Sequence, residues 1–404
     1  MKILIKYTSL CLLFTIIISC NNGGSSTANT AHDNVTSIIV DSGYNESGSN
    51  IPYVTVTICK PGTLQCQVLD HVILDTGSTG FKIDQSQLTL NDLPIITYSD
   101  LPLYECALYG AGYLFGSLAY ADIKLSGETA INIPIEIIND GSQDGVPTSC
   151  SNGVSFVDLS ALGAKAIIGI NVISNPNNTY FPLVYTSSNQ ESYSLIADPN
   201  TIPVKLNVNP IAAFIADNNG AILQLPFVDN TSNTPIDGTL TFGLNTQADN
   251  IVSESIYKLL GSPNQIDYIG AFIADSGELV TQAIFDSGTP VLAFYSTVIN
   301  QCPESGDMAG YYCPDNGVQL WTSILTNYSS GVVVPINELI ESYAFSEKFS
   351  VVPFLGYMMD ASENLTIYGL PAFFGRSIYL GFEGNSTDRV NTPLGMAPAW
   401  GFNK

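Results

Sequence analysis

The sequence predicts an all-β protein with a few short helices, and two observations carry this prediction. Short runs of β-branched and aromatic residues alternate with Gly, Pro, Asn and Asp, which is typical of strands separated by turns. The composition agrees, because 34 Gly, 22 Pro, 21 Tyr and 18 Phe accompany only 12 Lys and Arg residues. The clearest strand patterns lie at residues 131–138, 221–228, 238–243 and 378–382.

Helical patterns are few in this chain. Residues 251–260 and 336–345 favour short helices, which we expect to be minor elements. No repeat of short period is visible, which disfavours a solenoid or a propeller.

The charge of the chain limits its possible partners. Thirty-six acidic residues against 12 basic ones give a formal net charge of -24, and the pI is about 4.1. Nucleic acids and anionic lipid headgroups are bound through basic patches, so we expect no nucleic-acid partner.

The N-terminus has the pattern of an export signal. Lys2 and Lys6 precede an apolar run, residues 7–18, that is too short to span a bilayer. Residues 17–20 (IISC) resemble a lipobox, in which cleavage occurs before a lipidated cysteine. We therefore expect a lipoprotein signal peptide at residues 1–19 and lipidation of Cys20. An ordinary cleaved signal beside a chance cysteine is the alternative.

A polar segment follows the expected lipidation site. Residues 20–48 are rich in Asn, Gly, Ser and Thr, which predicts a flexible tether. The protein is then exported and anchored in a bacterial membrane, which it contacts through the lipid only. Asn21 and Asn22 suit the outer membrane, with the body facing the periplasm or the cell surface.

Six cysteines remain after Cys11 and Cys20 are set aside, and an oxidising compartment favours disulfides between them. Fifteen connectivities are possible, of which the chain order suggests Cys59 with Cys66, Cys106 with Cys150 and Cys302 with Cys313. Residues 54–68 support the first pair, because two strand patterns flank a turn at residues 60–63. With no Cys-x-x-Cys and only two histidines, no metal site or cofactor is expected.

A two-fold echo in the chain marks the candidate site. Residues 72–79 (VILDTGST) and 283–290 (AIFDSGTP) share an apolar run followed by Asp, a hydroxyl residue, Gly and a second hydroxyl residue. Each pattern delivers a carboxylate, Asp75 or Asp286, to a tight turn in which Gly allows close approach of the backbone. If the two turns meet, the carboxyl groups cannot both be ionised and they share one proton.

Such a pair can act as base and acid at once. The ionised carboxylate draws a proton from a water molecule while the protonated carboxyl polarises a peptide carbonyl. The reaction therefore needs no histidine. A Ser-His-Asp site would depend on His71 alone, since His32 falls in the tether.

The two turns resemble the paired active-site loops of pepsin-like aspartic peptidases. Further similarities follow in the same order along the chain: residues 109–120 resemble the flap hairpin, 166–169 and 366–369 the apolar strands behind each loop, 238–243 the strand that closes the first lobe, and 394–398 the C-terminal strand. Residues 370–384 are also similar to uncharacterised bacterial secreted proteins with or near this fold.

The resemblance implies a bilobal pepsin-like acid protease fold, with an N-terminal lobe at residues 49–245 and a C-terminal lobe at 246–404. It also implies a role for each matching site residue. Asp75 and Asp286 are the catalytic pair, Thr76 and Ser287 connect the loops, Ser78 and Thr289 bond the outer carboxylate oxygens, Gly77 and Gly288 complete the turns, and Tyr109, Gly110 and Gly112 form the flap over the substrate.

Two positions and one spacing depart from the family pattern. Lys82 stands where a tryptophan usually steadies the flap tyrosine, and Leu370 replaces an aspartate that often follows the second apolar strand. The distance from Gly169 to Gly238 predicts an insertion near residues 171–220.

Two functions therefore remain open at this stage. The first is a monomeric, lipid-anchored aspartic endopeptidase that acts on a peptide or protein substrate through the Asp dyad. The second is a catalytically inactive surface lipoprotein of the same fold with a binding or structural role, which the departure at Lys82 supports. The two intact aspartates favour the enzyme, because a binding module has no need of two adjacent carboxylates that repel each other.

Overall fold

The computed structural model describes residues 33–151, 156–173, 182–261, 269–273, 278–303, 305–306, 308–326, 333–342, 349–383 and 391–403. The expected signal peptide, the lipidation site at Cys20 and the first part of the expected tether lie outside these residues. All the described residues fall within one unit of the chain, Asp33–Lys404.

Strands dominate the described residues, so the predicted all-β class is confirmed. The strands before Asn250 are β1 Val35–Val40, β2 Pro52–Cys59, β3 Cys66–Asp75, β4 Thr79–Asp84, β5 Thr97–Tyr98, β6 Leu101–Tyr109, β7 Gly112–Leu125, β8 Glu128–Ile138, β9 Ala166–Ile170, β10 Leu183–Thr186, β11 Ser194–Leu195, β12 Gly220–Gln224 and β13 Ile236–Phe242. Those after it are β14 Tyr257–Leu260, β15 Ile269–Ile273, β16 Glu278–Phe285, β17 Leu292–Phe294, β18 Val318–Thr326, β19 Val333–Glu341, β20 Gly356–Met358, β21 Leu365–Tyr368, β22 Ser377–Gly381, β23 Asn391–Thr392, β24 Gly395–Met396 and β25 Ala399–Phe402.

Helices are short in the described part of the chain. The α-helix there, α1, is a single turn at Thr148–Ser151. Single turns of 3-10 helix lie at Gln85–Gln87, Ser142–Gly145, Leu159–Leu162, Pro199–Thr201, Ala361–Glu363 and Leu370–Phe373. Within the described ranges, no helix is long and apolar enough to cross a membrane.

The two helices expected from the sequence are wrong. Residues 251–256 form a loop and residues 257–260 form β14. Residues 336–341 belong to β19, while 343–345 lie outside the described residues. Burial alternates along β19, because Ile336 and Ile340 are buried whereas Leu339 is exposed. Over so short a run, the spacing of these apolar residues fits both the period of a helix and the period of a strand. Pairing with β18 along the whole of β19 selects the strand.

The expected tether is also wrong for residues 35–40. This segment forms β1, which pairs antiparallel with β13 and buries Ile38 and Val40 completely. The β-branched run VTSIIV is long enough to add a strand to a sheet, although polar residues surround it in the sequence. A strand of the main sheet therefore precedes residue 49, the expected start of the N-terminal lobe.

Six strands of the first half close into a barrel. Their order is β2, β3, β9, β4, β8 and β7, and β7 pairs back to β2 through Ile58 and Ile123. Side chains from these strands fill the interior, including the fully buried Val56, Val72 and Ile168. Closure leaves no free edge among these strands, so the barrel is a rigid support for the loop that follows β3.

A second sheet repeats the central pairing pattern of the barrel. Its order is β19, β18, β15, β16, β21, β17 and β20. In the barrel, β3 is parallel to β9, β9 is antiparallel to β4, and β4 is parallel to β8. In the second sheet, β16, β21, β17 and β20 follow each other in the same directions. Each copy of the pattern presents an aspartate at the end of its first strand.

Strands from both halves of the chain form the sheet that joins them. It runs in the order β1, β13, β12, β22, β25 and β14, and β1 also pairs with β2 of the barrel. The central contact is the antiparallel pair of β12 and β22, in which Ala221 lies opposite Leu380. The expected boundary between residues 245 and 246 falls in the loop between β13 and β14.

An aromatic cluster packs behind the second candidate loop. The ring of Phe285, next to Asp286, lies 5.0 Å from Tyr368 and 5.6 Å from Trp400. Trp321 stacks on Phe294 at 4.1 Å. Both tryptophans are fully buried, so they serve core packing rather than ligand stacking.

The six cysteines pair in the order that the sequence suggested. Cys59 bonds to Cys66 at the end of the β2–β3 hairpin, Cys106 on β6 bonds to Cys150 in α1, and Cys302 bonds to Cys313. The second bond fixes the β6–β7 hairpin to the segment that carries α1.

We expect the three disulfides to differ in their contribution to stability. A disulfide restricts the unfolded chain in proportion to the logarithm of the loop that it closes. The sequence separations are 44, 11 and 7 residues for Cys106–Cys150, Cys302–Cys313 and Cys59–Cys66. Replacing each pair by Ala is expected to lower the free energy of unfolding by about 4, 3 and 2 kcal/mol respectively. Urea unfolding of the three double variants measures these losses, and a reversed order would contradict the loop-closure account.

Candidate active site

The two aspartate loops begin at the ends of equivalent strands. Asp75 is the last residue of β3, and Asp286 follows β16 directly. A glycine packs behind each loop: Gly169 in β9 and Gly369 directly after β21. A Cβ added to Gly169 would lie 2.6 Å from the Ser78 carbonyl carbon, and one added to Gly369 would lie 2.0 Å from the Val291 carbonyl oxygen. Only glycine fits at these two positions, which explains the apolar-apolar-Gly pattern in the sequence.

Each carboxylate receives the same two hydrogen bonds from its own loop. The amide N–H of Gly77 donates to Asp75 Oδ1 at 2.8 Å, and the amide N–H of Gly288 donates to Asp286 Oδ1 at 2.9 Å. The Ser78 hydroxyl donates to Asp75 Oδ2, and the Thr289 hydroxyl donates to Asp286 Oδ2 at 2.7 Å. These donors fix both carboxyl groups in one orientation.

The two carboxyl groups face each other across the loops. A Cβ added to Gly77 would lie 2.5 Å from Asp286 Cγ, and one added to Gly288 would lie 2.8 Å from Asp75 Oδ1. Each carboxyl group therefore lies against the glycine of the opposite loop, which brings the two acidic groups next to each other. Burial, followed by the negative charge of Asp75, raises the pKa of the Asp286 carboxyl well above its ordinary value. The pair therefore retains one proton in conditions where isolated aspartates have lost theirs.

Thr76 and Ser287 connect the loops in a reciprocal arrangement. The Thr76 hydroxyl donates to the Phe285 carbonyl at 2.8 Å and accepts from the Ser287 amide N–H at 2.9 Å. The Ser287 hydroxyl donates to the Leu74 carbonyl at 2.6 Å and accepts from the Thr76 amide N–H at 3.1 Å. Both side chains are fully buried. These four bonds hold the two strand ends, and hence the two carboxyl groups, in fixed register.

The β6–β7 hairpin brings Tyr109 to the site. Gly110 lies at the exposed tip, and Gly112, with a φ of 145°, starts the return strand. The phenol hydroxyl of Tyr109 is buried beside the Ser78 hydroxyl, with no hydrogen bond of good geometry to any described residue. Burial raises the pKa of this phenol, and the charges of Lys82 and Asp75 also act on it. A buried hydroxyl without a partner is rare in folded proteins, so the Tyr109 hydroxyl is an unusual feature of the region near Asp75.

The expected insertion near residues 171–220 extends the sheet of this hairpin. Within it, β10 pairs antiparallel with β6, and β11 pairs with β10. Two further strands, β10 and β11, therefore extend the sheet beside β6.

Leu370 has a structural contact at the second loop. Its amide N–H donates to the Thr289 carbonyl at 2.8 Å, so the backbone at this position still supports the loop. Its side chain is fully buried in the core.

One family model matches nearly the whole described chain. It carries the description "Protein of unknown function (DUF3443)" and covers residues 30–400. The chain belongs to this family. Both aspartate loops and the β6–β7 hairpin fall within the matched residues of the DUF3443 model, whose description gives no activity. No curated protein matches the sequence.

Two asparagines that the sequence analysis missed support the site in this DUF3443 chain. Asn171 directly follows β9. Its side-chain NH2 group donates to the Gly77 carbonyl at 3.3 Å, and its backbone N–H donates to the Ser78 carbonyl at 2.9 Å. Asn50 is fully buried, donates to the Pro290 carbonyl at 2.9 Å and accepts from the Val352 amide at 2.7 Å. A single Asn in a loop carries no sequence signal of such a role, although Asn171 does follow the recognisable pattern at residues 166–169.

The raised pKa of Asp286 predicts how the stability changes with pH. A carboxyl whose pKa is raised by folding contributes no penalty below the unfolded value of about 3.9, and stability falls as the pH rises toward the folded value. We expect Asp286→Asn, which is neutral at every pH, to be more stable than the wild type at pH 7 by about 1 kcal/mol or more, but not at pH 4.

Urea unfolding at the two pH values measures this difference. Asp237→Asn is the control, because Asp237 is exposed on β13 and distant in sequence from both loops. Equal stabilities of Asp286→Asn and the wild type at pH 7 would contradict the shared proton.

Proposed function

We propose that this protein is an aspartic endopeptidase with a bilobal pepsin-like architecture, in which Asp75 and Asp286 hydrolyse peptide bonds with an activated water molecule. One observation carries the proposal: each of the two carboxyl groups lies against the glycine of the other loop, and both receive matched donors from two copies of the same loop. A protein that only binds ligands gains nothing from this arrangement, since the mutual repulsion of two carboxylates is costly.

The repeated pairing pattern supports the bilobal architecture. Each half has a parallel, antiparallel, parallel set of strands, and an aspartate lies at the end of the first strand in one set and directly after it in the other. The barrel then forms the N-terminal lobe, the second sheet forms the C-terminal lobe, and the sheet of β1, β13, β12, β22, β25 and β14 lies between them.

The chemistry follows from the shared proton. The ionised carboxylate removes a proton from water that is bound between the aspartates, and the protonated carboxyl donates to the oxygen of the peptide carbonyl. The attack gives a tetrahedral intermediate without a covalent bond to the enzyme. Collapse of this intermediate breaks the C–N bond after the leaving nitrogen has gained a proton from the dyad.

The substrate in this proposal is an extended peptide that lies beneath the β6–β7 hairpin. The Tyr109 hydroxyl provides a free donor on the side of the site next to Asp75. An extended backbone offers carbonyl and amide groups at regular intervals, which suits a hairpin edge above a pair of carboxyl groups.

The site of action in this proposal is outside the cytoplasm. The lipobox pattern at residues 17–20 supports attachment of the protein to a bacterial membrane through a lipid on Cys20. Three disulfides in the described residues agree with an oxidising compartment.

Hydrolysis of an unfolded protein between about pH 3 and about pH 7 tests the proposal. We expect cleavage with an acidic optimum and inhibition by a peptide that carries a secondary hydroxyl in place of the scissile carbonyl, because that group mimics the tetrahedral intermediate. Absence of cleavage with retained binding of the hydroxyl peptide would instead favour an inactive surface lipoprotein that binds peptides.

A further inference from the structure

Three buried charged side chains form a cluster between the β6–β7 hairpin and the neighbouring strands β4 and β8. Lys82 on β4, Glu105 on β6 and Glu136 on β8 are each exposed by 3% or less. The Lys82 ammonium donates to Glu105 Oε1 at 3.0 Å and lies 3.6 Å from Glu136 Oε2. Buried charges are costly unless each is paired, so such a cluster requires a specific arrangement.

The ammonium connects the hairpin to the loop of Asp75. Lys82 Nζ also donates to the Thr79 carbonyl at 3.3 Å, and Thr79 directly follows the Ser78 that donates to Asp75. Glu105 lies on the hairpin strand that ends at Tyr109. A single side chain therefore spans from the backbone of the candidate catalytic loop to the base of the hairpin.

The charge of the cluster is balanced only when one carboxyl is protonated. Neither oxygen of Glu136 has a hydrogen-bond partner in the described part of the chain. Burial is the main factor that raises the pKa of Glu136 well above its ordinary value, and the charges of Glu105 and Asp140 add to it. Glu105, in contrast, raises the pKa of Lys82 against the effect of burial, so the ammonium keeps its charge. A proton on Glu136 leaves one ammonium facing one carboxylate.

We propose that Lys82, Glu105 and Glu136 are positioning residues that lock the β6–β7 hairpin to the Asp75 loop and so hold the Tyr109 hydroxyl beside Asp75. The effect of the lock on catalysis rests on the proposed peptidase function, whereas the lock itself does not depend on that function. Loss of the proton from Glu136 places a second negative charge next to Glu105 without a second cation. The resulting repulsion acts on the hairpin strand, so the lock is strongest at acidic pH and weakens as the pH rises.

The groups around the cluster do not supply the missing cation. None of Tyr109 on β6, Asp75 at the end of β3 and Asp140 after β8 can carry a positive charge. The register partners of Lys82 on β9 and of Glu136 on β7 are the apolar Ile167 and Leu118. The pH dependence of the lock is therefore that of the Glu136 carboxyl itself.

Amide hydrogen exchange tests the lock without any need for activity. In the wild type, exchange in β6 and β7, corrected for the intrinsic effect of pH, is expected to be faster at alkaline pH than at acidic pH, relative to exchange in β3 and β9. Glu136→Gln keeps the shape of the side chain but cannot ionise, so it is expected to abolish this acceleration. Lys82→Met is expected to raise hairpin exchange at least about tenfold at both pH values.

Lys258→Met is the matched control, because Lys258 on β14 pairs with the exposed Glu254 and lies outside both the hairpin and the reference strands β3 and β9. The proposal would be overturned if amide exchange in the wild-type hairpin did not change with pH. It would also be overturned if exchange changed equally in the hairpin and in β3 and β9. If Lys82→Met does not fold, the comparison of Glu136→Gln with the wild type still decides it.

Kinetics separate this inference from the proposed function. If the wild type is active, its KM is expected to rise with pH, because the hairpin is held less firmly. In Glu136→Gln this rise is expected to be absent, while kcat at acidic pH stays within about twofold of the wild type. No activity in the wild type together with the expected exchange pattern would refute the peptidase and leave the lock intact. Activity with an unchanged pH profile of KM in Glu136→Gln would refute the positioning role and leave the peptidase intact.

Discussion

Replacement of either Asp75 or Asp286 by Asn is expected to lower kcat/KM for an unfolded protein substrate by at least about a thousandfold. Either substitution keeps the shape of the side chain and its contacts with the Gly77 or Gly288 amide, but it removes a carboxyl from the pair. The remaining aspartate then lacks the partner with which it shares a proton. Water can no longer lose a proton to one group while the other polarises the carbonyl.

Progress curves for the two variants and the wild type at the optimum pH measure this loss. Asp237→Asn, on the exposed face of β13, controls for a general effect of the change from Asp to Asn. Folding is monitored by the urea midpoint, which is not expected to fall in Asp286→Asn. Activity that survives in either dyad variant would exclude the proposed mechanism.

Thr76→Val is expected to reduce the free energy of unfolding by roughly 2 to 5 kcal/mol, because the substitution keeps the side-chain volume and removes both hydrogen bonds of the hydroxyl. The Ser287 amide and the Phe285 carbonyl are then left unpaired in a fully buried region, and each unpaired group costs about 1 to 3 kcal/mol. Ser287→Ala removes the reciprocal pair of bonds to Leu74 and Thr76.

A double-mutant cycle of Thr76→Val and Ser287→Ala shows whether the two residues act as one unit. We expect the combined loss to be smaller than the sum of the single losses, because the four bonds hold the same two strand ends. Thr63→Val is the control, since the hydroxyl of Thr63 bonds within an exposed turn. A loss in Thr76→Val no larger than in Thr63→Val would contradict the role of Thr76 as a buried connection.

The sequence was informative where local pattern and chemistry coincide. Asp75 and Asp286 follow apolar strands and precede glycines, and the fold brings these loops together. The short loop between Cys59 and Cys66 predicted its own disulfide, and chain order predicted the other two. The all-β class followed from the distribution of turn residues.

Elements that depend on distant partners could not be predicted in the same way. Residues 35–40 are ordered because β13 lies beside them, and β13 is some two hundred positions away in the chain. The segment at 336–341 is extended because β18 pairs with it, although its apolar spacing also fits a helix. Lys82 was read only as a departure from the family pattern, since the positions of Glu105 and Glu136 around it depend on three different strands.

The pairing of β12 with β22 has a consequence for the integrity of the molecule. Each half of the chain supplies neighbours to the other within one continuous hydrogen-bonded sheet. A fragment that stops near residue 245 would keep β12 without its partner and expose an apolar edge that contains Ile222 and Leu223. Such an edge is a template for intermolecular strand addition, so the halves are expected to aggregate when separated and to unfold together when joined.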